Sequence, residues 1–384
     1  MSKRSLAQNW RTALLILILL SLIGCRPAWQ TTLLTPDGSS FVVDRKILKG
    51  LDDFVTEVDG RSQVPLERVL LSAGHWVVER LIAIDSDGGR REFEWAEIAD
   101  DARWLYNGRV SVGGETFYAS SLEVEAPGLL ERVQASITDI APTAAAALGL
   151  PPPAQATGRA LKVPPVAHVM LIFLDAFGYI RYTESLDDGL IPYMATLEKP
   201  VVGLTTYPPI TTVSTASLLT GAPPGVHPAN QRGIRKVDTE TLFDVASAAG
   251  LKVVAVEGEA LAFNLRNAEC QLSGDRDGNG STDDNVLANA LAVLEGGMPD
   301  LFYVHFHGID DAGHQYGPGA AEECEKIGEV DAAVGQLIKA VPSDTLVIIF
   351  ADHGMHHVKE GGRLGNHGHL IERDMFIPVF VVVK

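Results

Sequence analysis

The sequence predicts an α/β fold: a mostly parallel sheet with helices on both faces, preceded by a small α+β accessory domain. Three observations predict it. Continuous apolar runs at 169–174, 251–256, 301–304 and 346–350 are bounded by turn residues. Helix-like stretches at 242–249, 285–294 and 322–340 alternate with them. Strands apolar throughout, separated by helices, are what a parallel sheet buried on both faces requires. Polar residues also stand at the ends of these runs: Asp175 after the first, His305 after the third, and Asp352-His353 after the fourth. In open parallel sheets, ligands gather at the carboxyl ends of the strands.

Residues 1–24 read as an export signal. Lys3, Arg4 and Arg11 give a positive start, and the apolar run 14–23 is too short to span a bilayer comfortably. Gly24-Cys25 resembles a bacterial lipobox, which implies cleavage before Cys25, lipidation of Cys25, and a location outside the cytoplasm on a membrane. The plainer reading of the same residues is an uncleaved anchor. Residues 25–37, with Pro27 and Pro36, read as a tether. Residues 38–135 read as the accessory domain: 77–84 and 108–112 are strand-like, and Asp87-Gly88-Gly89 marks a turn. Parts of this region resemble the molybdopterin-binding domain of sulfite-oxidase-like proteins. It contains no cysteine to hold molybdenum, so that cofactor does not carry over.

The formal charge of the 384-residue chain is −18, and three units more negative once Lys3, Arg4 and Arg11 are removed. Such a surface repels phosphate backbones and excludes nucleic acid as a docking partner. A small anionic substrate stays compatible, because bound metal ions dominate the field locally. With Cys25 lipidated, Cys270 and Cys324 remain, either paired as a disulfide or as two separate thiols.

The chemistry lies in short motifs of the second half. They are Asp175 in LIFLDAFGY, Thr211 in ITTVSTASLLTG, Asp310 and His314 in GIDDAGHQYGP, Asp352 and His353 in IIFADHGM, and His367 in GNHGH. Three carboxylates, three imidazoles and a hydroxyl suit a pair of zinc-like ions and an activated nucleophile. Gly313 and Gly354 read as turn residues that let the backbone wrap closely around a metal. Arg232 and Arg235 read as solvated arginines or as contacts to substrate. A further motif, GDRDGNGSTDD, puts Asp275, Asp277, Asn279 and Asp283 at positions 1, 3, 5 and 9 of a calcium-loop pattern, with Gly280 at position 6. Val286 stands where the bidentate Glu belongs, and Asp284 is a substitute. The loop reads equally as a calcium site or as a polar, turn-rich segment.

In their order, the motifs of residues 166–384 resemble the alkaline phosphatase superfamily, in its type I phosphodiesterase/nucleotide pyrophosphatase branch. The resemblance implies a metal-dependent phosphoesterase domain with two divalent ions, zinc above all. One ion would take Asp310, His314 and His367, the other Asp175, Asp352, His353 and the Thr211 oxygen. Thr211 stands ten residues before the Gly of Thr220-Gly221, where the family places its nucleophile, and Thr212 is its rival. His369 rivals His367 in the same way. Ser214 stands where the family often uses Asn to hold phosphoryl oxygens, which makes it a candidate substrate contact. Residues 136–165 form a linker whose part 139–161 resembles a segment that the family carries after its last strand. Here it precedes the first strand, which implies a circular rearrangement. Its helix, about 140–147, is expected to pack on the catalytic domain near the strand at 376–383. The resulting expectation is an exported, lipid-anchored phosphodiesterase-like hydrolase of a small phosphoester, acting through a phosphothreonine intermediate. The alternatives are a phosphomonoesterase of the same superfamily and a catalytically silent binding lipoprotein.

Overall fold

The computed structural model describes residues 29–34, 40–51, 54–58, 60–74, 77–358 and 362–384. The expected signal, Cys25 and most of the tether lie outside them. No helix among the described residues is long and apolar enough to cross a membrane. The chain divides into two compact units, with one boundary between Ala126 and Pro127.

The first unit holds two five-stranded sheets. One has the order Ser40–Val43, Thr31–Leu34, Ser121–Glu125, Arg80–Ile84, Arg90–Glu94, and the other Thr56–Val58, Arg61–Pro65, Arg103–Leu105, Arg109–Val112, Glu115–Tyr118. Short helices, Leu66–Ser72 among them, accompany the strands, and Trp95 and Trp104 are fully buried. Two expected boundaries are corrected. The tether is shorter than expected, because Thr31–Leu34 pairs with both Ser40–Val43 and Ser121–Glu125. The unit ends at Ala126 rather than 135, because Val133–Ser136 pairs in parallel with Val201–Leu204 in the second unit.

The second unit, from Pro127, is built on an eight-stranded sheet. Its order is Val133–Ser136, Val201–Leu204, Phe376–Val383, Thr345–Phe350, His168–Leu174, Leu301–Phe306, Val253–Glu257, Glu269–Leu272. Phe376–Val383 runs antiparallel to both its neighbours; the remaining pairings are parallel. The three central strands read VMLIFL, LFYVHF and TLVIIF and are buried along their length. Each large apolar side chain so buried contributes about 1.5–3 kcal/mol. Two groups of helices cover the sheet. Ile140–Ala147, Thr211–Thr220 and Leu242–Ala248 pack together, as do Asp283–Glu295, Gly308–Tyr316 and Ala321–Ala340.

Segment 139–161 is part of this unit. Its helix Ile140–Ala147 is almost entirely buried, and its small residues let it lie close against Thr211–Thr220 and Leu242–Ala248. The strand it covers is Thr345–Phe350, the neighbour of the expected 376–383 strand. The segment also grips the end of the Thr211 helix: Thr157 and Gly158 donate to the Gly221 carbonyl at 2.8 and 3.0 Å. Gly221 has φ +66°, and a Cβ there would lie 2.8 Å from the Ala156 Cβ.

The two leftover cysteines do not pair. Cys270 is on the exposed edge strand Glu269–Leu272, and its thiol points back to the Leu265 and Ala268 carbonyls at 3.7 and 3.6 Å. Cys324 is in the first turn of Ala321–Ala340, its sulfur 3.1 Å from Arg181 Nη2. The two thiols are engaged by different partners.

Arg181 and Glu323 tie Tyr179–Asp187 to Ala321–Ala340 through a buried bidentate pair, with Nε–Oε1 at 2.8 Å and Nη2–Oε2 at 2.6 Å. Removing one partner strands the other charge in the interior, at a cost of about 3–5 kcal/mol. Glu323→Ala is therefore expected to lower unfolding stability by that amount in denaturant titration. A loss below about 1 kcal/mol would show that water already screens the pair.

Candidate metal centre and active site

Asp175 and Asp352 are the meeting point of two adjacent parallel strands. The pairing of Phe173 with Phe350 aligns the strand ends, so the residues just beyond them meet. The Ala176 N–H donates to Asp352 Oδ1 at 3.3 Å. The two loops leave the sheet in close backbone contact: a Cβ on Gly354 would lie 1.8 Å from the Arg373 carbonyl oxygen and 3.1 Å from the Gly178 Cα. Only glycine fits there, which is why the Asp352-His353 pair is followed by one.

Asp310 and His314 do not flank a turn at Gly313, as the sequence suggested. Both belong to the helix Gly308–Tyr316, where four-residue spacing puts them on one face, with His314 Nε2 3.4 Å from Asp310 Oδ2. Gly313 serves packing rather than a turn, since a Cβ there would meet Met355 Sδ at 2.5 Å.

Three imidazoles are oriented in the same way. Nδ1 of His353, His367 and His314 faces the carbonyl of Gly354, Pro209 and Gly365 at 3.0, 2.8 and 2.8 Å. A carbonyl only accepts, so each ring carries its proton on Nδ1 and presents a bare Nε2. His353 Nε2 lies 3.2 Å from Asp352 Oδ2 and 3.6 Å from Asp175 Oδ1. His367 Nε2 lies 3.6 Å from Asp310 Oδ1. Those three carboxylate oxygens are buried and have no hydrogen-bond partner. Two guanidiniums reach the same nitrogens: Arg232 Nη2 is 3.4 Å from His367 Nε2 and Arg363 Nη1 3.1 Å from His314 Nε2. Bare imidazole nitrogens beside unpartnered carboxylate oxygens are a donor set for divalent metal ions. Asp310, His353 and His367 form one close ligand group and Asp175, Asp352 and His353 another, so His353 stands between the two.

Thr211 is the first residue of the helix Thr211–Thr220, and its Oγ1 is 3.3 Å from His353 Nε2. The rival hydroxyl, Thr212 Oγ1, is buried without a partner. At a helix start the first N–H groups have no acceptor within the helix, and the helix dipole adds positive potential.

Electrostatics agree with this donor set. Burial, reinforced by the charge of Asp175, pushes Asp310 and Asp352 well above the usual carboxylate range. Burial acts on Asp175 in the same sense, but hydrogen bonds to His305 and His307 outweigh it and hold Asp175 low. Burial lowers His353 and His314, and burial with the neighbouring His353 pushes His367 well down, so these imidazoles are neutral at pH 7.

Ser214 does not reach this centre. It is fully buried, 3.2 Å from the Thr205 hydroxyl, which in turn donates to the Asp352 carbonyl. The Asn-like role expected of it is corrected to support of the Asp352 backbone. His369 enters neither ligand group of the centre; its backbone N–H donates to Asp374 at 3.0 Å. Of the calcium-like loop, only Asp283 leaves the expected set. Asp275 accepts from the backbone N–H of Gly278 and Gly280, and Asp277 accepts from that of Asn279. Asp283 turns away from the loop and accepts from the backbone of His307 and Gly308 at 2.9 Å each. Val286 stands in the twelfth place, and Asp284, the expected substitute, faces the loop, accepting from Asn279 Nδ2 at 3.1 Å.

Sequence reasoning passed over Glu257 and His307. Glu257 Oε2 lies 3.0 Å from His305 Nδ1 and 2.9 Å from His307 Nε2, directly behind Asp175. Glu257 ends a buried strand, the same signal that singled out Asp175.

Residues 228–375 match the family model described as Type I phosphodiesterase / nucleotide pyrophosphatase. The match takes in Asp310, His314, Asp352, His353 and His367 and leaves Asp175 and Thr211 outside it. The catalytic subunit of GPI ethanolamine phosphate transferase 3 from Mus musculus is 35% identical over 75 residues, 20% of this chain and 7% of the relative. GPI ethanolamine phosphate transferase 3 from Eremothecium gossypii is 44% identical over 86 residues, 22% of this chain and 8% of the relative. The chain thus spans less than a tenth of these curated relatives. Phosphonoacetate hydrolase from Sinorhizobium meliloti 1021, solved with phosphonoformate, overlaps at TM-score 0.40 and 20% identity over 52% of this chain and 59% of that one.

Two predictions rest on this geometry. Gly354→Ala forces the Arg373 carbonyl and the Asp352-His353 loop apart; it is expected to destabilise by about 1–3 kcal/mol and to weaken metal retention, read by melting and elemental analysis. Wild-type metal content in the variant would show that the close packing does not position the ligands. Carboxylates raised in this way hold their protons to higher pH than free ones, and a divalent ion must displace those protons. Metal binding should therefore release protons and tighten as pH rises through their folded pKa. Calorimetry in buffers of different ionisation enthalpy measures the release, and heats independent of buffer would contradict it.

Proposed function

We propose that the chain is a two-metal phosphoester hydrolase in which Thr211 is the nucleophile. One observation carries the reading: three imidazoles are locked through Nδ1, and the bare Nε2 atoms of His353 and His367 face buried, unpartnered carboxylate oxygens beside a hydroxyl at a helix N-terminus. Asp310, His314 and His367 would hold one ion, and Asp175, Asp352, His353 and Thr211 Oγ1 the other. Bound there, the ions would make the threonine hydroxyl more acidic and neutralise phosphoryl charge.

The chain's own groups supply the rest. The free N–H groups at the start of Thr211–Thr220 point to where phosphate oxygens would land. Arg232 and Arg363 stand at the mouth and offer charge-assisted hydrogen bonds to non-bridging oxygens. The threonine oxygen attacks phosphorus, the P–O bond to the leaving group breaks, and the leaving group takes a proton. Water then attacks the phosphothreonine and restores the hydroxyl. Diesters or pyrophosphates are the favoured substrates, on the strength of the matched family pattern in 228–375. The export reading of residues 1–25 would put this reaction outside the cytoplasm, at a membrane that holds the chain through lipid on Cys25. A second reading draws on the local similarity to ethanolamine phosphate transferases: the phosphoryl group would pass to an acceptor alcohol instead of water.

The test uses zinc-loaded protein with paired chromogenic phosphate mono- and diesters. Diester cleavage should exceed monoester cleavage, and Thr211→Ala should cost at least about 10³-fold in kcat with metal content and melting unchanged. Thr212→Ala should stay near wild type. Loss of activity in Thr212→Ala but not in Thr211→Ala would overturn the assignment. Added alcohol that diverts product from free phosphoryl ester to a new diester would favour the transfer reading.

A further inference from the structure

The helix Gly308–Tyr316 borders a cleft that the reaction above does not use. Asp310 and His314 stand on one face of this helix. Gly308, Asp311, Ala312 and Gln315, at i, i+3, i+4 and i+7, form another face and line the cleft. The helix Ala321–Ala340 makes the facing wall with Glu322, Glu325, Lys326 and Glu329, at the same spacing. Asn279, Ser281, Lys326 and Glu329 also line a second hollow, bordered by the helix Asp283–Glu295. The two hollows are therefore parts of one cleft. Their volumes are about 510 and about 330 Å³. Small-molecule sites occupy about 300–1,000 Å³, so either part has room for a small organic ligand.

The two parts differ in chemistry. The smaller is floored by Leu287, Phe306, Val330 and Ala333, the last three of them buried. The larger is lined by the carboxylates of Asp311, Glu322, Glu325 and Glu329 and by the ring of Tyr316, which is 40% exposed. Lys326 is the one basic side chain among the described residues that line either part, and Glu329 holds its Nζ at 2.7 Å. Gly308 makes room where the parts meet: a Cβ there would lie 2.6 Å from Asp283 Oδ2 and 3.3 Å from Lys326 Cδ.

Charge decides which ligands suit this cleft. Its carboxylates repel a phosphoester, so it is no extension of the phosphate site. They do not converge as metal ligands do: among the described residues, the close carboxylate and imidazole groups lie elsewhere. A bulky organic cation needs no such convergence. It gains from several carboxylates at a distance, from an aromatic face, and from an apolar floor for its uncharged part. We infer that the cleft is a binding site for a small organic ammonium compound with an apolar body. The ammonium end lies in the part lined by Tyr316 and Glu329, and the apolar body in the part floored by Phe306 and Val330. The assignment is independent of the reaction at Thr211.

The probe is benzyltrimethylammonium, titrated by calorimetry into the full chain with zinc present. 2-Phenylethanol is the uncharged control and phenylacetate the anionic one. One saturable site is expected for the ammonium, about tenfold tighter than for 2-phenylethanol, with no binding of phenylacetate. Glu329→Gln and Tyr316→Leu should each weaken ammonium binding about 2–10-fold with melting unchanged. Absence of saturable ammonium binding overturns the proposal, as does equal affinity for ammonium and alcohol, or unchanged affinity in both variants. Self-association of the wild type that Glu329→Gln abolishes would assign the cleft to a second copy of the chain and also overturn it. Should either variant fail to fold, wild type crystallised with the probe decides. Probe density between Tyr316 and Phe306 supports the site, and its absence there overturns it.

Discussion

Asp175, Asp310 and Asp352 are carboxylates crowded into one buried place of the second unit, where the charge of Asp175 acts on the other two. Parallel pairing of His168–Leu174 with Thr345–Phe350 brings two of them to the same sheet edge, and the helix after Leu301–Phe306 brings the third. Like charges without water cost several kcal/mol, so such a group must hold protons or cations. Burial and the charge of Asp175 push Asp310 and Asp352 toward the protonated form. Histidines answer at Asp175. A site that must choose between protons and metal ions is one whose metal affinity follows pH.

The histidines meet this demand because the backbone fixes their tautomers. His314, His353 and His367 sit on three separate segments, yet each ring is held through Nδ1 by a carbonyl. Further out, Asp374 is fully buried and accepts from His356 Nδ1 at 2.8 Å and from the N–H of Gly368 and His369 at 2.9 and 3.0 Å. It thereby shapes the loop that carries His367. The Arg373 carbonyl fits against Gly354 on the same side. His314 and His367 are therefore oriented by backbone carbonyls distant in sequence, and His353 by that of its neighbour Gly354.

Much of this was legible in the chain, for a physical reason. A strand buried on both faces must be apolar throughout, so the central strands stand out, and a polar residue at the carboxyl end of one stands out against it. That logic found Asp175 and Asp352, and the same logic applied to Glu257 would have found the group behind Asp175. The edge was less legible: Glu269–Leu272 is exposed at all four positions, and Val133–Ser136 reads VQAS. Neither needs an apolar run, so neither announces itself. Gly313 was misleading because a glycine that makes room for Met355 looks in sequence like one that permits a turn. The free state of Cys270 and Cys324 depends on which elements they join, which spacing does not encode.

The position of segment 139–161 in the chain follows from the same sheet. Val133–Ser136 and Phe376–Val383 flank one strand, Val201–Leu204, so the beginning and the last strand of the catalytic unit lie two places apart. When the two ends of a unit lie that near, a terminal segment can be joined to either end without moving any strand. What is fixed is the destination. The helix Ile140–Ala147 must lie against Thr211–Thr220, and Thr157 and Gly158 must reach the Gly221 carbonyl at the far end of that helix. The helix Thr211–Thr220 is thus held at its C-terminus by the segment, while its N-terminus stands beside His353. Connectivity is free to change as long as both ends of that helix stay fixed.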